Sequence, residues 1–274
     1  MQKITVELGR IQETALYALW ARAKELEQAD PILVDPKSME ILNAIDYDFS
    51  TLAQERRSVA GTCLRSMVFD QWVRDYLTQR PDACVVELGA GLNTRFERVD
   101  NGQVNWFDLD LPDMMALRQQ FFKASDRRHL LTGSALETEW CQVVRACAAK
   151  THLFVAEGVL LYFSEMQVRQ LLANLRRQFP GCSLIFDCNS PLAVQWLKRP
   201  TQTSAATYDW GLAHLYDLED WDSTYCIKKA FNLADLPARY WKRFPILNRL
   251  LFSRIPWLRY SYQIGQIRLG PVQA

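Results

Sequence analysis

VVELGAGLNTRFERV, residues 85–99, is an apolar run that stops at an acid, Glu87, and then turns through Gly89-Ala90-Gly91. Glycine after a strand lets the chain take conformations that a Cβ forbids, and lets a ligand touch the backbone. A helix that follows offers unpaired N–H groups to an anion or a carboxylate. The dinucleotide fingerprint G-x-G-x-x-G is incomplete, because Thr94 stands at the third glycine position. A carboxylate two residues before the first glycine suits a ligand with a positive amino group beside its own carboxylate. S-adenosylmethionine has both. The bland alternative is an ordinary strand-to-helix turn.

Outward from this turn the chain alternates. Short apolar runs occur at 84–88, 103–108, 129–133, 152–156 and 182–188, with helical segments near 113–123, 137–149 and 164–178 between them. That rhythm predicts right-handed βαβ units and a parallel sheet covered on both faces. Residues 223–231 and 258–269 read as two further strands around a helix at about 235–252. Before the turn, residues 5–28 and 58–79 have helical spacing, and Pro81 closes the second stretch. The predicted fold is α/β with a seven-stranded sheet. Residues 1–80 form an N-terminal helical cap or lid, and 81–274 form the ligand-binding domain.

Ligands of open α/β sheets lie outside the carboxyl ends of the strands, so those ends are the residues to read. The first carries Glu87, Gly89 and Gly91; the second carries Asp108 and Asp110; the third carries Ser134 and Ala135; the fourth carries Glu157. Asp108 and Asp110 stand about 20 residues past the first glycine, where an acid grips a ribose diol. Individually, Glu157 could cap a helix and Asp110 could end a surface turn.

With 274 residues, 49% of them hydrophobic and 23% charged, the composition is that of an ordinary globular protein. The N-terminus lacks the basic-then-apolar order of a secretion signal, and no apolar run reaches the roughly 18 residues of a membrane span. Seven scattered cysteines without a C-x-x-C pair indicate reduced thiols in a cytoplasmic protein and no structural zinc. Three histidines, His129, His152 and His214, are too few for a histidine-rich metal site. A net charge of +1 hides an asymmetry, since no acid follows Asp235 while seven basic residues do. Aromatics interleave with these over 239–262. That region either meets an anionic membrane peripherally or forms a basic solvent face; no nucleic-acid partner is expected.

Six stretches together resemble the leucine carboxyl methyltransferase family, in its bacterial polyketide-type branch. They are LRSMVFDQWV (64–73), ELGAGLNTRFERV (87–99), FDLDLP (107–112), GSALETEW (133–140), AEGVLLYF (156–163) and YDWGLAHLYDLEDW (208–221). The resemblance implies a class I, Rossmann-like S-adenosylmethionine-dependent O-methyltransferase acting on a hydroxyl or carboxyl group of a small molecule. It also implies roles. Arg65 falls on the arginine that pairs with the cofactor carboxylate, and Gly89 and Gly91 line its methionine and ribose portions. Asp110 grips the ribose, Ser134 and Ala135 contact adenine, and Glu157 lies near the amino group. The family usually has Asp where this chain has Asn93. A carboxylate acceptor is already ionised at neutral pH, whereas a phenol benefits from a base. The resemblance also implies that a variable segment at about 190–222 builds the acceptor pocket, and His214 within it is the candidate base. A methyltransferase for a protein C-terminal carboxylate, and a cofactor-binding subunit without turnover, are the alternative functions.

Overall fold

A computed structural model describes residues 3–9, 11–50, 52, 56–197, 208–244 and 254–271. The chain divides into two compact units, one running to Ser134 and the other starting at Ala135. The seven-stranded sheet has three strands in the first unit and four in the second.

The first unit contains β1 (Ile4–Thr5), α1 (Thr14–Glu25), α2 (Pro36–Ala44), β2 (Ile45–Asp46), α3 (Arg56–Gln79), β3 (Cys84–Leu88), α4 (Arg95–Val99), β4 (Asn105–Asp110), α5 (Pro112–Arg118) and β5 (Arg128–Thr132). β4 lies between β3 and β5, parallel to both. All five residues of β3 are buried, which is why a parallel strand reads as one apolar run rather than an alternation. The expected helix over 5–28 starts only at Thr14. Ahead of it, residues 3–9 alternate between exposed and half-buried, and β1 pairs with β2. Ile4, Val6 and Leu8 use this period of two to pack on a core of Leu16, Leu19, Ile41, Ile45, Leu92 and Met114. α2 was not expected. Asp35 accepts from the Ser38 amide as its N-cap, and Pro36 stands at the first turn, where a missing N–H costs nothing.

The second unit contains α6 (Trp140–Arg145), β6 (His152–Ala156), α7 (Glu165–Gln178), β7 (Cys182–Asn189), α8 (Pro191–Leu197), β8 (Tyr225–Asn232), α9 (Pro256–Arg259) and β9 (Tyr262–Leu269). β6 and β7 run parallel, and β9 lies antiparallel between β7 and β8. α7 opens with a capping box between Ser164 and Gln167 and buries Val168, Leu171, Leu172 and Leu175 at helical spacing. In place of the single helix expected at 235–252, short 3-10 turns cover Leu233–Asp235 and Ala238–Arg243; residues 245–253 lie outside the described ones. The division after Ser134 falls inside the stretch that the sequence reads as one domain, and the helices of the expected cap belong to the first unit.

Candidate active site

The turn after β3 is held open by its glycines and gripped from several sides. Gly89 and Gly91 have φ of 64° and 50°, in the region that favours glycine. A Cβ on Gly91 would also stand 3.2 Å from the Ala15 Cβ of α1, so α1 touches the turn where no side chain fits easily. The carbonyls of four consecutive residues, 90–93, all accept from arginines. Arg118 Nη1 donates to Ala90, Gly91 and Asn93 at 3.2, 2.7 and 2.9 Å, and Arg22 Nη2 donates to Leu92 at 2.8 Å.

Asp110 closes β4 beside this turn. Its Oδ2 accepts the Gly91 amide at 2.6 Å and its Oδ1 accepts the Leu111 amide at 2.8 Å. Burial raises its carboxyl above the ordinary value, and these two N–H groups offset only part of that. The two bonds use half of the roughly four lone-pair positions of a carboxylate, so acceptor capacity remains for a pair of hydroxyls. The Gly133 amide bonds the Asp110 carbonyl at 2.9 Å, which brings the chain on to half-buried Ser134.

Glu87 lies in a buried ion network. Arg95 Nη1 donates to it and Arg95 Nε donates to Asp70 at 2.9 Å; Asn93 Nδ2 also donates to Glu87, at 2.8 Å. Arg98 reaches Asp70 through Nε at 2.6 Å and Asp35 through Nη1 at 3.2 Å. Asp35 further accepts from Arg22 Nε at 3.0 Å and from the Thr94 hydroxyl at 2.6 Å. Burial alone would raise the Asp35 carboxyl, but the Arg22 and Arg98 guanidiniums outweigh it and hold the group below its ordinary value. A second network sets Asp108 between Arg118 at 3.0 Å and Arg128 at 2.9 Å. There too the arginines overcome burial and lower the carboxyl.

In the second unit the carboxyl ends of β6 and β7 carry their own polar arrangement. Glu157 follows β6 directly and is half-buried, and Gly158 next to it has φ of 68°. The Gly158 amide donates to Asp187 Oδ1, and the Tyr262 hydroxyl donates to Asp187 Oδ2, each at 2.7 Å. His214 is exposed. Its amide donates to Asp217 Oδ2 at 3.0 Å, and its ring meets Tyr260 edge-on with centroids 4.8 Å apart. Gln263 Nε2 donates to the carbonyls of Leu212 and Ala213, tying the segment before His214 to β9.

Of the residues singled out in the sequence, Glu87, Gly89, Gly91 and Asp110 cluster about the glycine turn of the first unit. Half-buried Arg65 on α3 and Ser134 belong to the same unit. Ala135, Glu157 and His214 belong to the second. Sequence reasoning missed Arg22, Asp35, Asp70, Thr94 and Arg118, which hold the turn, and Asp187 and Tyr262. Only Asp35 left a local signal, as an Asp-Pro helix start. All seven cysteines are free thiols, and burial pushes Cys141 up to about 11. No group of three or more His, Cys, Asp or Glu side chains among the described residues is placed to hold a metal ion. No described helix is long and apolar enough to cross a membrane.

Comparison with known proteins gives this geometry a context. Residues 15–176 match the leucine carboxyl methyltransferase family. The chain is 29% identical over 236 residues to the tetracenomycin polyketide synthesis O-methyltransferase TcmP of Streptomyces glaucescens, covering 85% of this chain and 87% of that one. It is 27% identical over 194 residues to the S-adenosyl-L-methionine-dependent methyltransferase dpfgK of Gibberella zeae, covering 65% of each. In fold it is similar to the crystal structure of a sarcosine dimethylglycine methyltransferase candidate from Galdieria sulphuraria. The TM-score is 0.51 at 13% identity, over 77% of this chain and 88% of that one. With a family match across more than half its length, the chain belongs to the leucine carboxyl methyltransferase family and is an S-adenosylmethionine-dependent methyltransferase.

Proposed function

We propose that the protein methylates an oxygen, hydroxyl or carboxyl, of a small molecule of secondary metabolism. The observation that carries the cofactor side is Asp110, held by two backbone amides beside a glycine turn and left with lone pairs for a ribose diol. The acceptor class is supported by the relative from tetracenomycin polyketide synthesis. Bound S-adenosylmethionine supplies a methyl group activated on a sulfonium. In this reading Arg65 pairs with its carboxylate and Glu157 with its amino group. Gly89 and Gly91 let the backbone approach its methionine and ribose portions, and Ser134 and Ala135 contact adenine. The protein's remaining task is to align the acceptor oxygen and exclude water.

His214 is the proposed base for a hydroxyl acceptor; a carboxylate needs none. The experiment is labelled methyl transfer to a panel of phenols and carboxylic acids, alongside melting with S-adenosylhomocysteine and with NAD. A ligand at 100 times its Kd adds about 2.7 kcal/mol to the folded state. Stabilisation by NAD alone overturns the reading. With a phenol, the His214→Ala variant is expected to lose roughly 10²–10⁴-fold in turnover at unchanged cofactor affinity. With a carboxylate, the same variant is expected to be nearly normal. The working compartment is the cytoplasm. Residues 239–262 are the place to look for peripheral contact with anionic lipid, read as vesicle binding that falls steeply with salt.

A further inference from the structure

Asp187 and Tyr262 both lie beyond the residues that match the family. Asp187 is fully buried near the carboxyl end of β7. Its cross-strand partner on β9 is Ile264, so Tyr262, two residues earlier, points to the same face and reaches Asp187 diagonally. Because β9 runs antiparallel to β7, its first residue arrives at the end where β7 finishes. The third member comes from the turn after β6. Gly158 adopts a left-handed conformation there, and its amide is bound by Asp187. One carboxylate therefore ties together β6, β7 and β9 through two 2.7 Å bonds, one on each oxygen.

The residue that this arrangement orients is Glu157, the neighbour of Gly158. A left-handed residue rotates the chain sharply, so whatever holds the Gly158 amide also sets the direction of the peptide that joins it to Glu157. We infer that Asp187 is a positioning residue that aims Glu157 at the cofactor's amino group, with the Tyr262 hydroxyl orienting Asp187. The inference rests on the reading of Glu157 in the proposed function.

The test compares S-adenosylhomocysteine with 5′-methylthioadenosine, which keeps the nucleoside and thioether but has no amino acid. For full-length Asp187→Ala, affinity for S-adenosylhomocysteine is expected to fall about tenfold, with less than about twofold change for methylthioadenosine. Asp187→Asn keeps an oxygen for the Gly158 amide and is expected to fall between Asp187→Ala and wild type. Tyr262→Phe leaves Asp187 in place and is expected to lose about threefold on S-adenosylhomocysteine alone. The Asn and Phe variants carry the test if the Ala variant does not fold. Glu157→Gln is measured beside them, and it is expected to cost less when added to Asp187→Asn than when added to wild type, because part of its contribution is already lost. Equal losses on both ligands in Asp187→Asn and Tyr262→Phe mark a merely structural role and overturn the inference. If Glu157→Gln discriminates between the ligands and the Asp187 and Tyr262 variants do not, the inference fails while the proposed function stands. If Glu157→Gln does not discriminate either, both the inference and the assigned role of Glu157 fail.

Discussion

Around the turn after β3, three arginines, Arg22, Arg95 and Arg98, interleave with three acids, Asp35, Asp70 and Glu87, almost wholly out of water. At the ends of β6 and β7, one acid is held by an amide and a phenol, with aromatic packing nearby between Phe186, Trp210 and Trp221. The contrast teaches where stability is concentrated. Opposite charges in a poorly screened interior depend on each other, so removing one leaves another stranded. A neutral donor can be removed at about the cost of a single hydrogen bond. The first arrangement defines one loop conformation stringently, and the second leaves room for sequence change.

The largest expected effect tests that dependence. Asp70→Ala removes the acid that Arg95 and Arg98 share, leaving them only Glu87 and Asp35 as partners, and should cost about 3–5 kcal/mol in urea denaturation. A loss comparable to that of an ordinary surface substitution would erase the contrast. Next come Arg65→Ala and Asp110→Ala, each expected to weaken S-adenosylhomocysteine binding by about 1.5–3 kcal/mol in calorimetry, with the fold retained. Unchanged affinity in both would remove these residues from the site. Tyr262→Phe sharpens the other side of the comparison. It should lower stability by about 1.5–3 kcal/mol, the range of a hydrogen bond to a charged group and less than Asp70→Ala.

The smallest effect is in acid. Asp35 and Asp108 have folded-state carboxyls below the ordinary value, so their contribution is present above the unfolded value of about 3.9 and is lost as pH falls through the lower folded one. Asp110 has the opposite sign. Its raised carboxyl contributes stability that is complete below the unfolded value and lost as pH rises through the folded one. Stability should therefore drop below about pH 4, and Asp108→Asn should flatten that drop. A Asp108→Asn variant with the wild-type acid limb would assign the drop to other groups.

The legible parts of the chain are those where local pattern and tertiary environment demand the same residues. Cys84–Leu88 and His152–Ala156 were read to the residue, because a strand buried on both faces is apolar along most of its length, here in all but Glu87 and His152. Residues 5–9 were misread because the helical spacing that begins at Ile11 was extended back over a stretch whose apolar residues, Val6 and Leu8, alternate. The acids and glycines at the strand ends were visible as types and positions. Their partners were not. Asp70 and Arg98 look like ordinary helix-surface charges in sequence, and only the packing of α3 on α4 makes them a buried pair. Glu87 illustrates the limit: its place beside the glycines was legible, but not its ion pair with Arg95.

Four successive carbonyls, 90–93, already engaged by Arg118 and Arg22, leave the glycine loop, the proposed cofactor site, little to organise when a ligand arrives. Association then forgoes the ordering entropy that a floppy glycine segment would surrender, and a larger share of the contact energy survives as affinity. The arginines need never meet the ligand to contribute to this; they act beforehand, by removing alternatives.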